Sequence, residues 1–151
     1  MDLILWRHAE AEDARGNDDL GRPLTARGRK QAERMAAWLG SRLPARTRIV
    51  VSPALRCQQT AAALGRPVAT ADAIRPGATA QAVLDAVGWP AAGGSVLVVG
   101  HQPTLGETAA LALGESDEHW RLRKGAVCWL TSDPDDGDAV EIHARKSPDD
   151  L

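Results

Sequence analysis

The chain has 151 residues, of which 44% are hydrophobic and 25% charged, and its formal net charge is -2. That length suits one domain with a real core, and the near balance of charge argues against a nucleic-acid or membrane-binding face. No apolar run reaches the roughly 20 residues of a membrane helix, and the opening residues read as strand rather than signal segment, so cytoplasmic residence is expected.

Leu3, Ile4, Leu5 and Trp6 form a short apolar run, and residues 2–6 read as a buried strand leading to Arg7-His8. Residues 9–23 are polar and contain Gly16, Gly21 and Pro23. They predict a loop, long enough for a compact domain to hint at function. Thr25 can cap a helix in which Ala32, Met35, Ala36 and Leu39 recur at helical spacing, with Pro44 enforcing the stop. Arg48 to Ser52 predicts a second strand. Ser52-Pro53 then resembles an N-cap followed by proline in the first turn, opening a helix through Arg56 and Thr60 to Gly65.

Residues 67–74 allow one short strand at an edge, and residues 79–87 a helix. After Trp89-Pro90 and Gly93-Gly94, the run Ser95-Val96-Leu97-Val98-Val99 predicts a strand that ends at Gly100-His101. Pro103 fits the first turn of a further helix reaching Leu113-Gly114. Its N-terminus, beside His101, is expected to attract an anion. Residues 126–131 and 139–144 flank a turn-rich acidic segment and predict an antiparallel hairpin at the sheet edge. The fold class that follows is α/β. It is a three-layer sandwich, with a mostly parallel central sheet flanked by helices and a C-terminal antiparallel edge hairpin, in a single domain over residues 1–151.

In such a sheet, ligands bind beyond the carboxyl ends of the parallel strands. His8 and His101 each end a strand there, Arg7 precedes the first, and Arg56 lies in the turn after the second. Arginine suits a phosphoryl dianion because its planar fork donates paired hydrogen bonds and keeps its charge. A neutral imidazole supplies a nucleophile, and flanking arginines are expected to hold His8 in that form. His101, with a proton on the nitrogen facing the phosphate, would stabilise charge in the transition state. Cys57 and Cys128 are too few for a disulfide framework and match no metal motif, so they read as reduced structural thiols. Trp6, Trp38 and Trp89 read as core volume in a chain that has no Phe or Tyr.

Arg7-His8-Ala9-Glu10-Ala11-Glu12, Arg22-Pro23-Leu24-Thr25, Val51-Ser52-Pro53-Ala54-Leu55-Arg56-Cys57 and Val99-Gly100-His101-Gln102-Pro103 stand in that order. This resembles the histidine phosphatase superfamily, with its phosphoglycerate mutase-like fold, and within it the short SixA-type phosphohistidine phosphatases. The resemblance implies that His8 becomes phosphorylated, that Arg7 and Arg56 clamp the phosphate, and that His101 contacts it as the second histidine. Arg22 is similar to an arginine at the pocket rim of the SixA-type branch. Ala9 stands where the broad superfamily has glycine, a change that the SixA-type branch tolerates. Ala73-Ile74-Arg75-Pro76-Gly77-Ala78 lacks the carboxylate with which mutase-type members protonate a leaving oxygen.

A positioned acid contributes roughly 10²–10⁴-fold to expelling an alkoxide. Imidazole leaves far more readily. The expectation is therefore a phosphatase acting on phosphohistidine in a protein, such as a phosphotransfer domain, without cofactor or metal and as a monomer by default. The alternatives are a small-molecule phosphomonoester phosphatase with the same site and a non-catalytic phosphate-binding module. A metallohydrolase using His8, Glu10 and His101 is a further alternative, although its spacing matches no standard metal motif. His119 and His143 lack comparable context and read as structural or exposed. Arg27, Arg29 and Lys30 read as a solvated helix face, and Glu10 and Glu12 as loop carboxylates that are solvated or steer water.

Overall fold

The structure is a computed structural model that describes residues 1–151, with the side chain of His119 lying outside the described residues. Six strands form one sheet: β1 (Asp2–Arg7), β2 (Arg48–Val51), β3 (Ala69–Thr70), β4 (Ser95–Gly100), β5 (Val127–Asp133) and β6 (Ala139–Lys146). Their order is β3-β2-β4-β1-β5-β6. β3, β2, β4 and β1 run parallel, β5 is antiparallel to β1, and β6 closes the edge as an antiparallel hairpin.

The helices are α1 (Ala26–Gly40), α2 (Leu55–Ala62), α3 (Ala80–Val87) and α4 (Thr104–Leu113). They explain why β1 and β4 are continuous apolar runs rather than alternating ones. Leu3, Leu5, Val96 and Val98 pack with Val83 and Leu84 of α3 and Leu105 of α4. Ile4, Trp6, Leu97 and Val99 pack on the other face with Met35 and Leu39 of α1 and Cys57 of α2. All eight strand residues are fully buried. A sheet covered on both faces demands apolar side chains in both directions. The three-layer α/β expectation is met, including the short edge strand and the terminal hairpin.

Connectivity then places the cleft. The chain leaves β1 for α1 on one face and leaves the adjacent β4 for α4 on the other. Neighbouring strands whose helices depart to opposite faces leave a crevice at their carboxyl ends, the switch point where α/β proteins bind ligands. His8 and His101 are the residues that immediately follow those two ends.

Two local expectations are corrected. Ala54, not Ser52, is the N-cap of α2, so Pro53 lies outside the helix. The Ser52 hydroxyl does accept from the Ala54 N–H at 3.2 Å, but its other neighbour is His101. The helix also ends at Ala62 rather than at Gly65. Ala63, Leu64 and Gly65 each bond three residues back, tightening the last turn before Gly65 turns the chain with φ +65.

Candidate active site

His8 is placed by backbone bonds on both sides. Its N–H donates to the Gly100 carbonyl at 3.0 Å, and its own carbonyl accepts from Gly125 at 3.1 Å. The residue is 7% exposed, with Nδ1 at 2.7 Å from the Ala9 carbonyl oxygen. A carbonyl can only accept, so Nδ1 carries the proton and Nε2 keeps the free lone pair. Burial, opposed by the Ala9 bond and reinforced by the charges of His101, Arg56 and Arg7, lowers the His8 pKa from 6.5 to about 3. The imidazole is neutral, as expected, although burial is the larger cause and the arginines the smaller.

The His101 ring lies 5.4 Å from that of His8, between centroids, at an interplanar angle of 60°. Its Nε2 is turned inward, 2.8 Å from the Ser52 hydroxyl and 3.5 Å from the Cys57 sulfur. Its Nδ1 faces Arg56 Nη2 at 3.4 Å. Burial and the Arg56 charge lower the His101 pKa to about 4. Both imidazoles are thus neutral near pH 7 in the free protein, which leaves the positive charge on the arginines. Cys57 and Cys128 are free and buried, and burial pushes their thiols up to about 12 and about 11. Neither is a nucleophile at neutral pH.

Arg56 is 4% exposed and held by the loop predicted over residues 9–23. Its Nη1 donates to the Asp19 carbonyl at 2.8 Å and its Nη2 to the Asp19 carboxylate at 3.2 Å. Asp19 also takes Arg22 Nη1 at 3.3 Å, while Arg22 Nε donates to the Glu12 carbonyl at 2.7 Å. Arg22 therefore reaches the site through Asp19. Arg7 donates from Nη1 to the Leu122 carbonyl at 3.0 Å. Burial and Arg121 lower the pKa of Arg7, but a guanidinium remains charged at pH 7. The Nε groups of Arg7 and Arg56 are buried donors with no partner among the described residues. A buried donor of this kind gains most from an anionic acceptor.

The loop itself is ordered by specific bonds. Ala9 donates to Thr60 Oγ1 at 3.1 Å, Glu10 to Gln31 Oε1 at 3.0 Å, and Leu24 to Gln59 Oε1 at 2.8 Å. The Leu55 N–H donates to the Leu20 carbonyl at 2.9 Å, pinning the segment that carries Asp19 to the start of α2.

All four principal candidates, Arg7, His8, Arg56 and His101, come together at this crevice. Glu10 does not join the histidines, since its carboxylate accepts from Thr25 at 3.0 Å and lies 4.0 Å from Arg27. The expected anion site at the N-terminus of α4 is corrected. Leu105 and Gly106 already donate to the His101 carbonyl and to Gln102 Oε1, so two of its leading N–H groups are taken. Sequence reasoning missed Asp19, Leu122 and the role of Ser52. Ser52 had a signal, but it read as a helix cap. Leu122 acts through a carbonyl that every residue possesses, and Asp19 is one acidic residue in a polar loop.

The pattern of the histidine phosphatase superfamily (branch 1) matches residues 3–77. An uncharacterised protein of Picosynechococcus is 36% identical over 141 residues, covering 87% of this chain and 86% of that protein. The phosphohistidine phosphatase SixA homolog of Haemophilus influenzae is 32% identical over 130 residues, covering 76% and 79% of the two chains. The structure of the protein histidine phosphatase SixA complexed with tungstate superposes with a TM-score of 0.83 at 27% identity, covering 100% of this chain and 99% of that one. The chain belongs to the histidine phosphatase superfamily, in its SixA-type branch. It is a phosphatase.

Proposed function

We propose that this phosphatase hydrolyses phosphohistidine borne on a protein, with His8 as nucleophile. The arrangement of His8 carries the reading: a neutral ring whose Nδ1–H is committed to the Ala9 carbonyl presents Nε2 with its lone pair free. Nε2 attacks phosphorus, a P–N bond to His8 forms, and the P–N bond of the substrate breaks. The departing imidazole takes up a proton from solvent. Water then attacks phosphorylated His8, releasing inorganic phosphate and restoring the neutral ring.

Arg7 and Arg56 hold the phosphoryl oxygens, with the rest of each guanidinium anchored on Leu122 and Asp19. His101 completes the clamp by donating from Nδ1–H, in the tautomer whose Nε2 accepts from the Ser52 hydroxyl. Positioning and charge carry such a transfer. Arg22 acts at the rim, holding Asp19 in place.

No carboxylate stands among the described groups that influence His8. Asp72, beside the stretch without carboxylates, is solvent-exposed and paired with Arg75 at 3.1 Å. Asp19 is the carboxylate that meets Arg56; burial raises its pKa, but Arg56 and Arg22 outweigh that and hold it below the ordinary value. It therefore offers no proton to a leaving oxygen, and P–N cleavage suits the site better than P–O cleavage.

The test compares kcat/KM for a phosphohistidine protein, free phosphohistidine and simple alkyl phosphates. The protein substrate is expected to lead and alkyl phosphates to trail by at least about 10²-fold. Faster hydrolysis of alkyl phosphates would replace this reading with a small-molecule phosphomonoesterase. Vanadate is expected to inhibit and chelators to have no effect. His8→Ala is expected to fold, lose turnover and form no phosphoenzyme; retained turnover would remove His8 from the mechanism.

A further inference from the structure

Residues 121–125 read Arg-Leu-Arg-Lys-Gly, and their Leu122 carbonyl is the anchor of Arg7. Arg121, Arg123 and Lys124 are exposed around that anchor. β6 brings Arg145 and Lys146 beside them, with Arg145 stacked 4.5 Å above the ring of Trp120. Among the described residues none of these five cations has a carboxylate within ion-pair distance. In a chain of net charge -2, this is a local concentration of positive charge at the mouth of the site.

Three shallow hollows of about 320, 300 and 430 Å³ meet along this segment. Arg7 lines two of them, Arg123 two, and Arg121 two, so the hollows adjoin one another beside the Arg7 side of the phosphate clamp. A small monophosphate held by Arg7 and Arg56 would leave most of their area uncovered. The walls also carry Glu10, Glu107, Asp117, Asp149 and Asp150. That mixture disfavours a uniform polyanion such as a nucleic acid and suits a protein surface of mixed charge.

We propose that this basic rim docks the phosphorylated protein through carboxylates that flank its phosphohistidine, a specificity that rests on the phosphohistidine reading above. Opposite charges placed around a reacting pair accelerate encounter and lower KM more than they change the chemical step.

The test uses two synthetic peptides, each with one phosphohistidine, flanked by glutamates in one and glutamines in the other. At low salt the wild-type enzyme is expected to favour the glutamate peptide by about 10-fold in kcat/KM, mostly through KM, and to lose that preference near 0.5 M salt. The double variant Arg123→Gln/Lys124→Gln is expected to treat the two peptides alike, with its rate on free phosphohistidine unchanged. Equal wild-type rates on the two peptides, or a preference that survives in the double variant, would overturn the proposal. So would inhibition by a short single-stranded oligonucleotide at lower concentration than by unphosphorylated glutamate peptide. Fluorescence anisotropy of the unphosphorylated glutamate peptide reads the rim separately from the chemistry. If no phosphohistidine substrate turns over, salt-sensitive binding lost in the double variant would still support docking, while absent binding would overturn it.

Discussion

His8 and Arg56 each owe their state to one neighbour that a different side chain could not replace by charge alone. For His8 it is the Ala9 carbonyl, which fixes the tautomer. For Arg56 it is Asp19, which contributes both a carbonyl and a carboxylate. The carboxylate is half-exposed, so screening keeps the pair weak, yet it sits beside the guanidinium that an anion must reach. Asp19→Asn keeps the shape and, through its single amide oxygen, the bond from Arg56, while removing that negative charge and the acceptor for Arg22. Inorganic phosphate is therefore expected to inhibit Asp19→Asn about 3-fold more tightly than wild type, a change of the size an exposed charge can supply. A rise in the inhibition constant would instead make Asp19 chiefly a support for Arg56.

At the scale of elements, α1 is fitted to the loop that precedes it. Thr25 caps the helix by accepting from Gly28 N–H at 2.9 Å, and its own N–H donates to the Glu10 carbonyl. Gly28 is buried against that same carbonyl, and a Cβ there would run into the oxygen. In an exposed helix, glycine to alanine gains about 1 kcal/mol. Here the steric conflict is expected to win, with Gly28→Ala destabilising by about 1–3 kcal/mol in urea unfolding. The same change displaces the loop that brings Asp19 to Arg56, so kcat/KM is expected to fall as well. Unchanged stability would mean that the loop shifts without cost.

For the whole molecule, burying two histidines ties stability to pH. Their folded pKa values, about 3 and about 4, lie below the ordinary 6.5 that they regain on unfolding. Between those limits the unfolded chain binds more protons, so stability is complete above about pH 6.5 and declines as pH falls. From pH 7 to pH 5 the loss is expected to be roughly 2 kcal/mol for each imidazole. Urea unfolding of wild type and of His8→Asn/His101→Asn at both pH values checks it. The double variant should lose most of the acid dependence, and an unchanged slope would place its origin elsewhere.

The linear order of residues determined the layers and the principal side chains of the site. Both faces of β1 and β4 are covered, so their apolar runs are unbroken in the sequence, and the polar residues that end them stand at the carboxyl ends by necessity. Arg7, His8 and His101 were legible for that reason, and Arg56 because it stands in the first turn of the helix that follows β2. Helix ends were less so, because Ser52 could serve either a cap or His101 and only the fold decides which bond dominates. Tertiary structure alone decided the tautomer of His8, the burial that outweighs the arginines in keeping it neutral, and the anchoring of Arg56 by Asp19 and of Arg7 by Leu122. Each depends on desolvation, or on a backbone carbonyl or loop carboxylate brought close by the fold. Such groups have no periodic signature in a sequence, and their chemistry exists only once the fold has brought them together.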